Sequence, residues 1–404
     1  MLFVEGALPG ERATVKIFSA RRKFDVGRAT SILQEAPGRQ PPRCPHFGVC
    51  GGCVTQHADL AMQLAAKQDW LIQNLARIGK VEPGRVLPMI TGEEWGYRHR
   101  ARLSVRRVEA KSGVMVGFRE RRSTYVTDMH QCPVLPGRIS ALIDPLRELI
   151  ERLSVRSRLP QVEVAVGDNA TALVFRHLAP LTDEDRVHLS AFGGEHAVHL
   201  WLQSGGPETA APFHPAASEL YYELPDFGLR LYFRPTDFTQ VNHAVNRVLV
   251  ARALELLEPQ PGERIADLFC GLGNFSLPLA RRGAEVIGLE GSAELVARAR
   301  ANAAANGLVA QFEQMDLFAP SLAAFGRFDK LLIDPPRQGA IEIVKALEAP
   351  LPGRIVYVSC DPATLARDAG VLAHTKGYRL AAAGVVNMFP HTAHVESIAV
   401  LDHQ

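Results

Sequence analysis

The chain has 404 residues, 47% of them hydrophobic, and a formal net charge of +2. This length is too great for one simple core, so we expect two or three globular domains. Because no apolar stretch is long enough to cross a bilayer and residues 1–6 lack a basic leader region, we expect a cytoplasmic protein with no membrane partner.

The first 37 residues show the alternation of short β-strands. Strands are predicted at residues 13–18 and 29–33, with glycine and proline turns around them. A strand is missing at the front, so we expect a small, incomplete all-β barrel.

A cluster of cysteines follows, which we call the cysteine segment (residues 44–53). Cys44, Cys50 and Cys53 lie within ten residues, and Cys132 supplies a fourth sulfur from far along the chain. In a reducing cytoplasm these thiols are ligands more often than disulfides. Four thiolates can hold an iron–sulfur cluster or a zinc ion. Zinc ribbons prefer paired C-x₂-C knuckles, and only one is present, so the spacing favours a cluster and keeps zinc as the alternative.

The middle of the chain combines a helix pattern at residues 60–78 with basic strands, further helix signals near 139–153 and short strands over 161–201. Between positions 98 and 122 the sequence contains nine basic residues and only two acidic ones. This excess suits a phosphate backbone, although a solvated strand face explains it equally well. The nine are Arg98, Arg100, Arg102, Arg106, Arg107, Lys111, Arg119, Arg121 and Arg122.

From about residue 231 strands and helices alternate. Strands are predicted at residues 264–269, 285–289, 330–333 and 355–359, and helices at 275–281 and 292–306. This order predicts an α/β, doubly wound parallel sheet, with the last strand, 396–401, at an edge. We therefore divide the chain into residues 1–37, 38–230 and 231–404.

The first turn of this sheet is rich in glycine. Gly271 and Gly273 let the backbone approach a ligand, and Glu290, 17 residues beyond Gly273, ends the next strand where it can bind a ribose diol. A nicotinamide site would place a third glycine where Ser276 stands. An adenosyl cofactor without phosphates, S-adenosylmethionine, fits better, and Asp316 can reach its adenine.

Cys360 ends the fifth strand, where open α/β sheets bind their ligands. A thiol there can add to C6 of a pyrimidine and so activate C5, provided that a base later removes the C5 proton. Glu396 is the best-placed carboxylate downstream. His391 and His394 are candidate proton carriers, although a capping or core role is the favoured interpretation of each histidine taken singly. Asp334, held by two prolines, can accept a hydrogen bond from a base edge.

Five motifs together resemble the RNA (uracil-5-)-methyltransferase family. They are residues 238–242 (FTQVN), 267–275 (DLFCGLGNF), 334–337 (DPPR), 358–362 (VSCDP) and 394–397 (HVES). The resemblance implies Cys360 as nucleophile, Glu396 as base and Asp334 as a further catalytic group. It also implies a set of S-adenosylmethionine-binding residues: Gln240, Phe269, Asn274, Glu290, Asp316 and Asp334.

The cysteine pattern resembles the iron–sulfur subgroup of this family, whose ribosomal RNA members carry a [4Fe–4S] centre. This implies Cys44, Cys50, Cys53 and Cys132 as its ligands. The N-terminal strands resemble a TRAM domain, a small OB-like barrel, and the basic stretch fits the family's RNA-facing segment, with Arg98, Arg100, Arg102, Arg119 and Arg121 as RNA contacts.

The expectation is thus a Rossmann-like methyltransferase domain behind a central α+β cluster-bearing domain and an OB-like N-terminus. We expect a monomer that methylates C5 of a uridine in 23S ribosomal RNA. A transfer RNA uridine methyltransferase and a catalytically inactive RNA-binding or ribosome-assembly factor remain as alternatives.

Overall fold

The computed structural model describes residues 1–109 and 113–404. Across these residues the strands form a small N-terminal sheet, a six-stranded central sheet, a two-stranded hairpin and an eight-stranded sheet. No helix in the described ranges is both long and apolar enough to cross a membrane.

The N-terminal sheet consists of β1 (Leu2–Glu5), β2 (Arg12–Ala20) and β3 (Asp25–Gln34), in the order β1-β3-β2. β1 runs parallel to β3 and β2 antiparallel to it. Strand β1 was not predicted from the sequence. In the part of the chain that is described, these three strands remain an open sheet and do not close a barrel.

The central sheet has the order β10-β9-β8-β7-β5-β6. Helices α2 to α4 belong to the same region. The bounds are β5 (Arg100–Val108), β6 (Gly113–Gly117), α2 (Gly137–Ser140), α3 (Ile143–Arg152), β7 (Gln161–Val166), β8 (Thr171–Arg176), α4 (Asp183–Glu195), β9 (His199–Gln203) and β10 (Ala211–His214).

The eight-stranded sheet has the order β15-β14-β13-β16-β17-β19-β18-β4. Its last strand in the chain, β19, lies between β17 and β18 and runs antiparallel to both. The predicted edge position of this strand is therefore wrong, because β19 is apolar and buried along most of its length and needs a neighbour on each side. The predicted doubly wound parallel arrangement is confirmed for β13 to β17.

The elements of this region are β11 (Leu220–Leu224), β12 (Leu229–Phe233), α5 (His243–Leu257), β13 (Arg264–Leu268), α6 (Ser276–Arg281), β14 (Glu285–Glu290), α7 (Ala293–Ala305), β15 (Gln311–Gln314), β16 (Lys330–Ile333), α8 (Ile341–Ala346), β17 (Arg354–Ser359), α9 (Pro362–Thr375), β18 (Tyr378–Val386) and β19 (Glu396–His403). β11 and β12 form the hairpin.

Helix α1 (Leu60–Asn74) precedes the central sheet in the chain but packs on α9 and β18 of the eight-stranded sheet. It continues as a single π-helical turn, Leu75–Gly79, so the helix predicted at 60–78 is confirmed with an altered end. A side chain at Gly79 would come within 2.4 Å of the Ala366 carbonyl oxygen, so this close approach requires glycine. Strand β4 (Arg85–Val86) then pairs with β18.

A single hydrophobic core joins the two large sheets. It contains Val174 and Trp201 of the central sheet, Leu249 of α5 and Val356 of β17. Because interiors are close-packed, this shared core fixes the central region against the carboxyl ends of the parallel strands.

Candidate active site

One cavity of about 810 Å³ opens at the carboxyl ends of β13, β14, β16 and β17. Ligands of open α/β sheets bind at this edge. The cavity brings together all the predicted cofactor, catalytic and cysteine positions and one of the five predicted RNA contacts. These are Gln240, Phe269, Asn274, Glu290, Asp316, Asp334, Cys360, Glu396, Cys44, Cys50, Cys53, Cys132 and Arg98.

The turn after β13 lines part of the cavity. Phe269 adopts a left-handed conformation, with φ of 64°, and its N–H donates to the Leu289 carbonyl at 2.9 Å. The Glu290 carboxylate accepts hydrogen bonds from the N–H groups of Gly271 at 3.1 Å and Ser292 at 3.0 Å. These bonds hold the carboxylate at the mouth of the glycine turn and leave further lone pairs for the hydroxyls of a ligand.

Asn274 is held by side chains from two other elements. Its Oδ1 accepts from the Tyr222 hydroxyl at 2.8 Å and from the Asn246 amide at 2.9 Å, and its Nδ2 donates to Asn246 Oδ1 at 3.1 Å. Three of the four hydrogen bonds that an amide can make are thus used within the protein. One Nδ2 proton remains for a ligand in the cavity.

Two aromatic rings flank the turn. The centroids of Phe269 and Phe318 are 5.8 Å apart, and Phe318 is 45% exposed although it lines the cavity. An open aromatic face beside Asp316 suits stacking on a purine ring. Phe318 was not predicted from the sequence, where a phenylalanine two residues after the strand's acidic residue reads as an ordinary apolar position.

Cys360 and Glu396 stand together at the far end of the cavity. β19 is antiparallel to β17, and Ser359 pairs with Ser397, so the next residues outward on the two strands are Cys360 and Glu396. Ser397 Oγ also donates to the Ser359 carbonyl at 3.3 Å. The register of these two strands thus brings the Cys360 thiol and the Glu396 carboxylate, which belong to separate motifs, to the same rim of the cavity.

Burial shifts the acidic groups of this rim toward their protonated forms. It raises the pKa of Glu396 to about 8, with the nearby Asp334 adding to the shift, and raises the pKa of Asp334 to about 7. The pKa of the Cys360 thiol rises to about 11 through burial and through the charges of Glu396 and Asp334, against the lowering effect of Arg337. At neutral pH these shifts favour the protonated forms of Cys360 and Glu396 in the free site.

Arg337 links the two loops that border this rim. It follows Asp334 and two prolines, and its Nη2 lies 3.2 Å from Nδ1 of His394, which precedes Glu396. The same guanidinium lowers the pKa of the Cys360 thiol. A cation here favours the thiolate form of the cysteine.

The four predicted ligand cysteines are free thiols that line the same cavity. The Gly52 N–H donates to Cys50 Sγ at 3.3 Å, and the Cys132 N–H donates to Ser140 Oγ at 2.8 Å. Over residues 1–109 and 113–404, no group of three or more His, Cys, Asp or Glu side chains is arranged to hold a metal ion.

The predicted RNA contacts divide into two groups. Arg98 lines the cavity with its guanidinium 5.6 Å from the Phe118 ring centroid, while Arg119 and Arg121 are joined to the cysteine segment through their backbones. On β5, Arg102 pairs with Glu163 at 3.0 Å. Arg100 is half-buried, and burial lowers its pKa. Lys111 of the basic stretch lies outside the described residues.

Sequence reasoning missed the side chains that hold the loop before Glu396. Lys67 of α1 is buried, and its ammonium donates to Asn387 Oδ1 at 2.8 Å and to the Phe389 carbonyl at 2.9 Å. Burial lowers its pKa to about 8. A signal was available, because Gln63, Lys67 and Leu71 recur at helical spacing on the buried face of α1.

The sheet has the strand order β15-β14-β13-β16-β17-β19-β18. The glycine turn follows β13, and the acidic residue Glu290 ends β14. These features define a Rossmann-like S-adenosylmethionine-dependent methyltransferase. The family model of the tRNA (uracil-5-)-methyltransferases matches residues 59–404. The chain belongs to this family.

Two relatives show how far the similarity extends. The chain is 62% identical to the 23S rRNA (uracil(1939)-C(5))-methyltransferase RlmD of Thiobacillus denitrificans, over 99% of this chain and 94% of that protein. It is 57% identical to the protein of the same name from Nitrosospira multiformis, over 100% of this chain and 93% of that protein.

A solved structure with a similar fold is the tRNA (uracil-54, C5)-methyltransferase of Pyrococcus abyssi in complex with S-adenosyl-L-homocysteine. It is 27% identical to this chain and superposes with a TM-score of 0.78, over 99% of this chain and 94% of that one. The likeness therefore covers the central region as well as the eight-stranded sheet.

Proposed function

We propose that the protein methylates C5 of a uridine in 23S ribosomal RNA, at the position that corresponds to uridine 1939 in the names of its relatives. The observation that carries this proposal is the shared cavity, in which Cys360 and Glu396 face the residues expected to bind S-adenosylmethionine. The identity of 55–62% to proteins of that name favours this substrate over other RNAs.

In the proposed reaction the thiol of Cys360 first gives up its proton to water, and the resulting thiolate bonds to C6 of the uracil. The electron pair of the C5–C6 double bond moves toward O4, which makes C5 nucleophilic. C5 then takes the methyl group from the sulfonium of the donor, and the carbon–sulfur bond of that donor breaks. S-adenosylmethionine supplies only the methyl group and the leaving thioether.

Glu396 completes the cycle as the base. Its carboxylate takes the proton from C5, the C5–C6 double bond re-forms, and the bond between C6 and Cys360 breaks, returning the thiolate. Glu396 must be ionised to do this, and its raised pKa of about 8 makes it a base strong enough for a weakly acidic carbon. Asp334, between the two sites, accepts a hydrogen bond from the imide N–H of the uracil or from the cofactor.

The target uridine has to leave its stack to reach Cys360, which is only partly exposed within the cavity. Arg98, Arg119 and Arg121, together with Arg100 and Arg102 of β5, are the proposed contacts with the RNA backbone. In this proposal residues 1–37 are a TRAM-like part, 38–230 the cysteine- and RNA-binding part and 231–404 the methyltransferase part of a cytoplasmic monomer.

The cysteine segment and Cys132 are the proposed ligands of a [4Fe–4S] cluster. The donor set fits, because four free thiols and no carboxylate suit iron–sulfide chemistry, and backbone N–H groups such as that of Gly52 point at sulfur. Cys44, Cys50, Cys53 and Cys132 would hold the cluster and supply its thiolate ligands. Zinc is the alternative, and iron and acid-labile sulfide assays on the anaerobically purified protein distinguish the two.

The test of the function is transfer of labelled methyl groups from S-adenosylmethionine to RNA from cells that lack this protein. We expect label in 23S RNA at one uridine, and its appearance in transfer RNA instead would establish the alternative suggested by the archaeal structure. Cys360→Ala should abolish transfer while S-adenosylmethionine binding persists. Full activity of that variant would refute the covalent chemistry, and inactivity of the wild type on both RNAs would favour a binding factor.

A further inference from the structure

The loop between β18 and β19, residues 387–395, leads directly into Glu396 and is held along its length by residues from the first quarter of the chain. Three consecutive carbonyls of this loop accept hydrogen bonds from three different elements. Lys67 donates to Phe389 at 2.9 Å and the Tyr97 hydroxyl donates to Pro390 at 3.0 Å. The third carbonyl, that of His391, accepts hydrogen bonds from the residues that directly follow the cysteine segment.

The chain immediately after Cys53 provides that third contact. The N–H groups of Val54 and Thr55 donate to the His391 carbonyl at 2.8 and 3.1 Å. Val54 directly follows the predicted cluster ligand Cys53, and Thr55 is the next residue. A shift of the cysteine segment therefore moves the hydrogen-bond donors of a loop that ends at the catalytic base.

The chain immediately before Cys44 reaches the same histidine through an indole ring. The Arg43 guanidinium lies 5.0 Å from the ring centroid of Trp95, and that ring stacks on the His391 imidazole with centroids 4.0 Å apart. Cation–aromatic and stacked aromatic contacts of this kind contribute to position as well as to stability. Both ends of the cysteine segment thus converge on His391.

His391 is held in a conformation that the loop alone would not favour. It is fully buried with a left-handed φ of 63°, its N–H donates to Gln63 Oε1 at 2.9 Å, and its Nδ1 lies 3.3 Å from Gln63 Nε2. A non-glycine residue stays in this region only when its surroundings determine it. The contacts from Trp95, Gln63 and the cysteine segment are those surroundings.

We infer that His391 and Trp95 are positioning residues through which the cysteine segment sets the orientation of Glu396. The inference rests on the proposed function, because it assigns the cysteine segment a task in removing the C5 proton. The task is structural and needs no electron transfer. Neither residue is a catalytic residue, since neither lines the cavity that holds Cys360 and Glu396.

Trp95→Ala is the variant that tests this inference, with Trp95→Phe as its conservative partner. Trp70 of α1 is 55% exposed and is not among the residues that line the cavity, so Trp70→Ala is the matched control. Substrates are 23S RNA fragments carrying hydrogen or deuterium at C5 of the target uridine. The measurements are the deuterium isotope effect, the fraction of denaturant-resistant protein–RNA adduct and the Kd for S-adenosylmethionine.

For Trp95→Ala we expect proton removal to slow by about 10- to 100-fold, because a misplaced base loses much of its effect. The isotope effect and the adduct fraction should both rise, the Kd for S-adenosylmethionine should stay at the wild-type value, and Trp95→Phe should restore most of the rate. Hydrogen exchange of the amides in residues 387–395 should become faster in Trp95→Ala and stay unchanged in Trp70→Ala.

An unchanged isotope effect and adduct fraction in Trp95→Ala would overturn the inference, even if its activity fell through loss of folded protein. Equal losses of rate in Trp95→Ala and Trp95→Phe would also overturn it, because the loss would then not come from removing the aromatic ring that stacks on His391. Failure of the proposed function is distinguishable, because the wild-type protein itself would then form no adduct and transfer no methyl group.

Discussion

Cys360 and Glu396 lie side by side because β19 runs antiparallel between β17 and β18, with Ser359 paired to Ser397. If β19 ran parallel to β17, the first residue of β19 would lie at the opposite end of the strands from the last residue of β17. The reversed strand therefore brings the start of one strand, with its carboxylate, to the end of another, with its thiol.

Glu396→Gln should trap the covalent intermediate. The amide keeps the shape of the side chain but cannot accept the C5 proton, so the bond between Cys360 and C6 cannot break by elimination. We expect a denaturant-resistant protein–RNA band with labelled 23S RNA and turnover reduced by about three orders of magnitude. The double variant Cys360→Ala/Glu396→Gln should show no band, and normal turnover of Glu396→Gln would exclude the assigned role.

The same substitution should stabilise the free protein at alkaline pH. The pKa of Glu396 is about 8 in the folded protein against an ordinary value of 4.5, so below pH 4.5 both states are protonated and no penalty exists. As pH rises from 4.5 to 8 the unfolded chain loses this proton while the folded protein keeps it, and stability falls.

Thermal unfolding from pH 4 to 9 tests this sign. The Tm of Glu396→Gln should match that of the wild type near pH 4 and exceed it increasingly up to pH 8. Glu342→Gln, which alters an exposed carboxylate paired with Lys345, is the control and should follow the wild-type curve. A Tm difference that is constant with pH would show that Glu396 is not protonated in the folded state.

Phe318→Ala should weaken S-adenosylmethionine binding. The ring lines the cavity beside Phe269, and we propose that the adenine stacks on it. Removing it should raise the Kd by about 3- to 10-fold, the range of one stacking contact. Calorimetric titration measures the effect, and Phe3→Ala, which removes an exposed ring on the N-terminal sheet, should leave the Kd unchanged.

Arg119→Ala and Arg121→Ala should weaken RNA binding through loss of phosphate contacts. Each should lower the slope of log Kd against log salt concentration by about one unit, with little dependence on RNA sequence. Arg252→Ala, at an exposed pair on α5 with Glu255, is the control. Filter binding of a 23S fragment over a range of salt concentrations measures the slopes, and unchanged slopes would remove these two residues from the interface.

Local sequence determined much of this protein. Alternating apolar strands and helices after residue 231 predict the parallel sheet, because periodicity depends only on neighbouring residues. Gly271 and Gly273 mark the turn at which a backbone can approach a cofactor. The spacing of the cysteines within residues 44–53 can likewise be read from neighbouring residues.

Tertiary structure alone decided how these parts meet. The insertion of β19 beside β17 joins Ser359 and Ser397, which are 38 residues apart. The burial of Lys67 beneath residues 387–395 joins residues 322 apart, and the convergence of Arg43, Val54 and Thr55 on His391 likewise joins distant segments. Such pairings depend on which apolar faces bury one another across the shared core, and no short window of sequence contains that information.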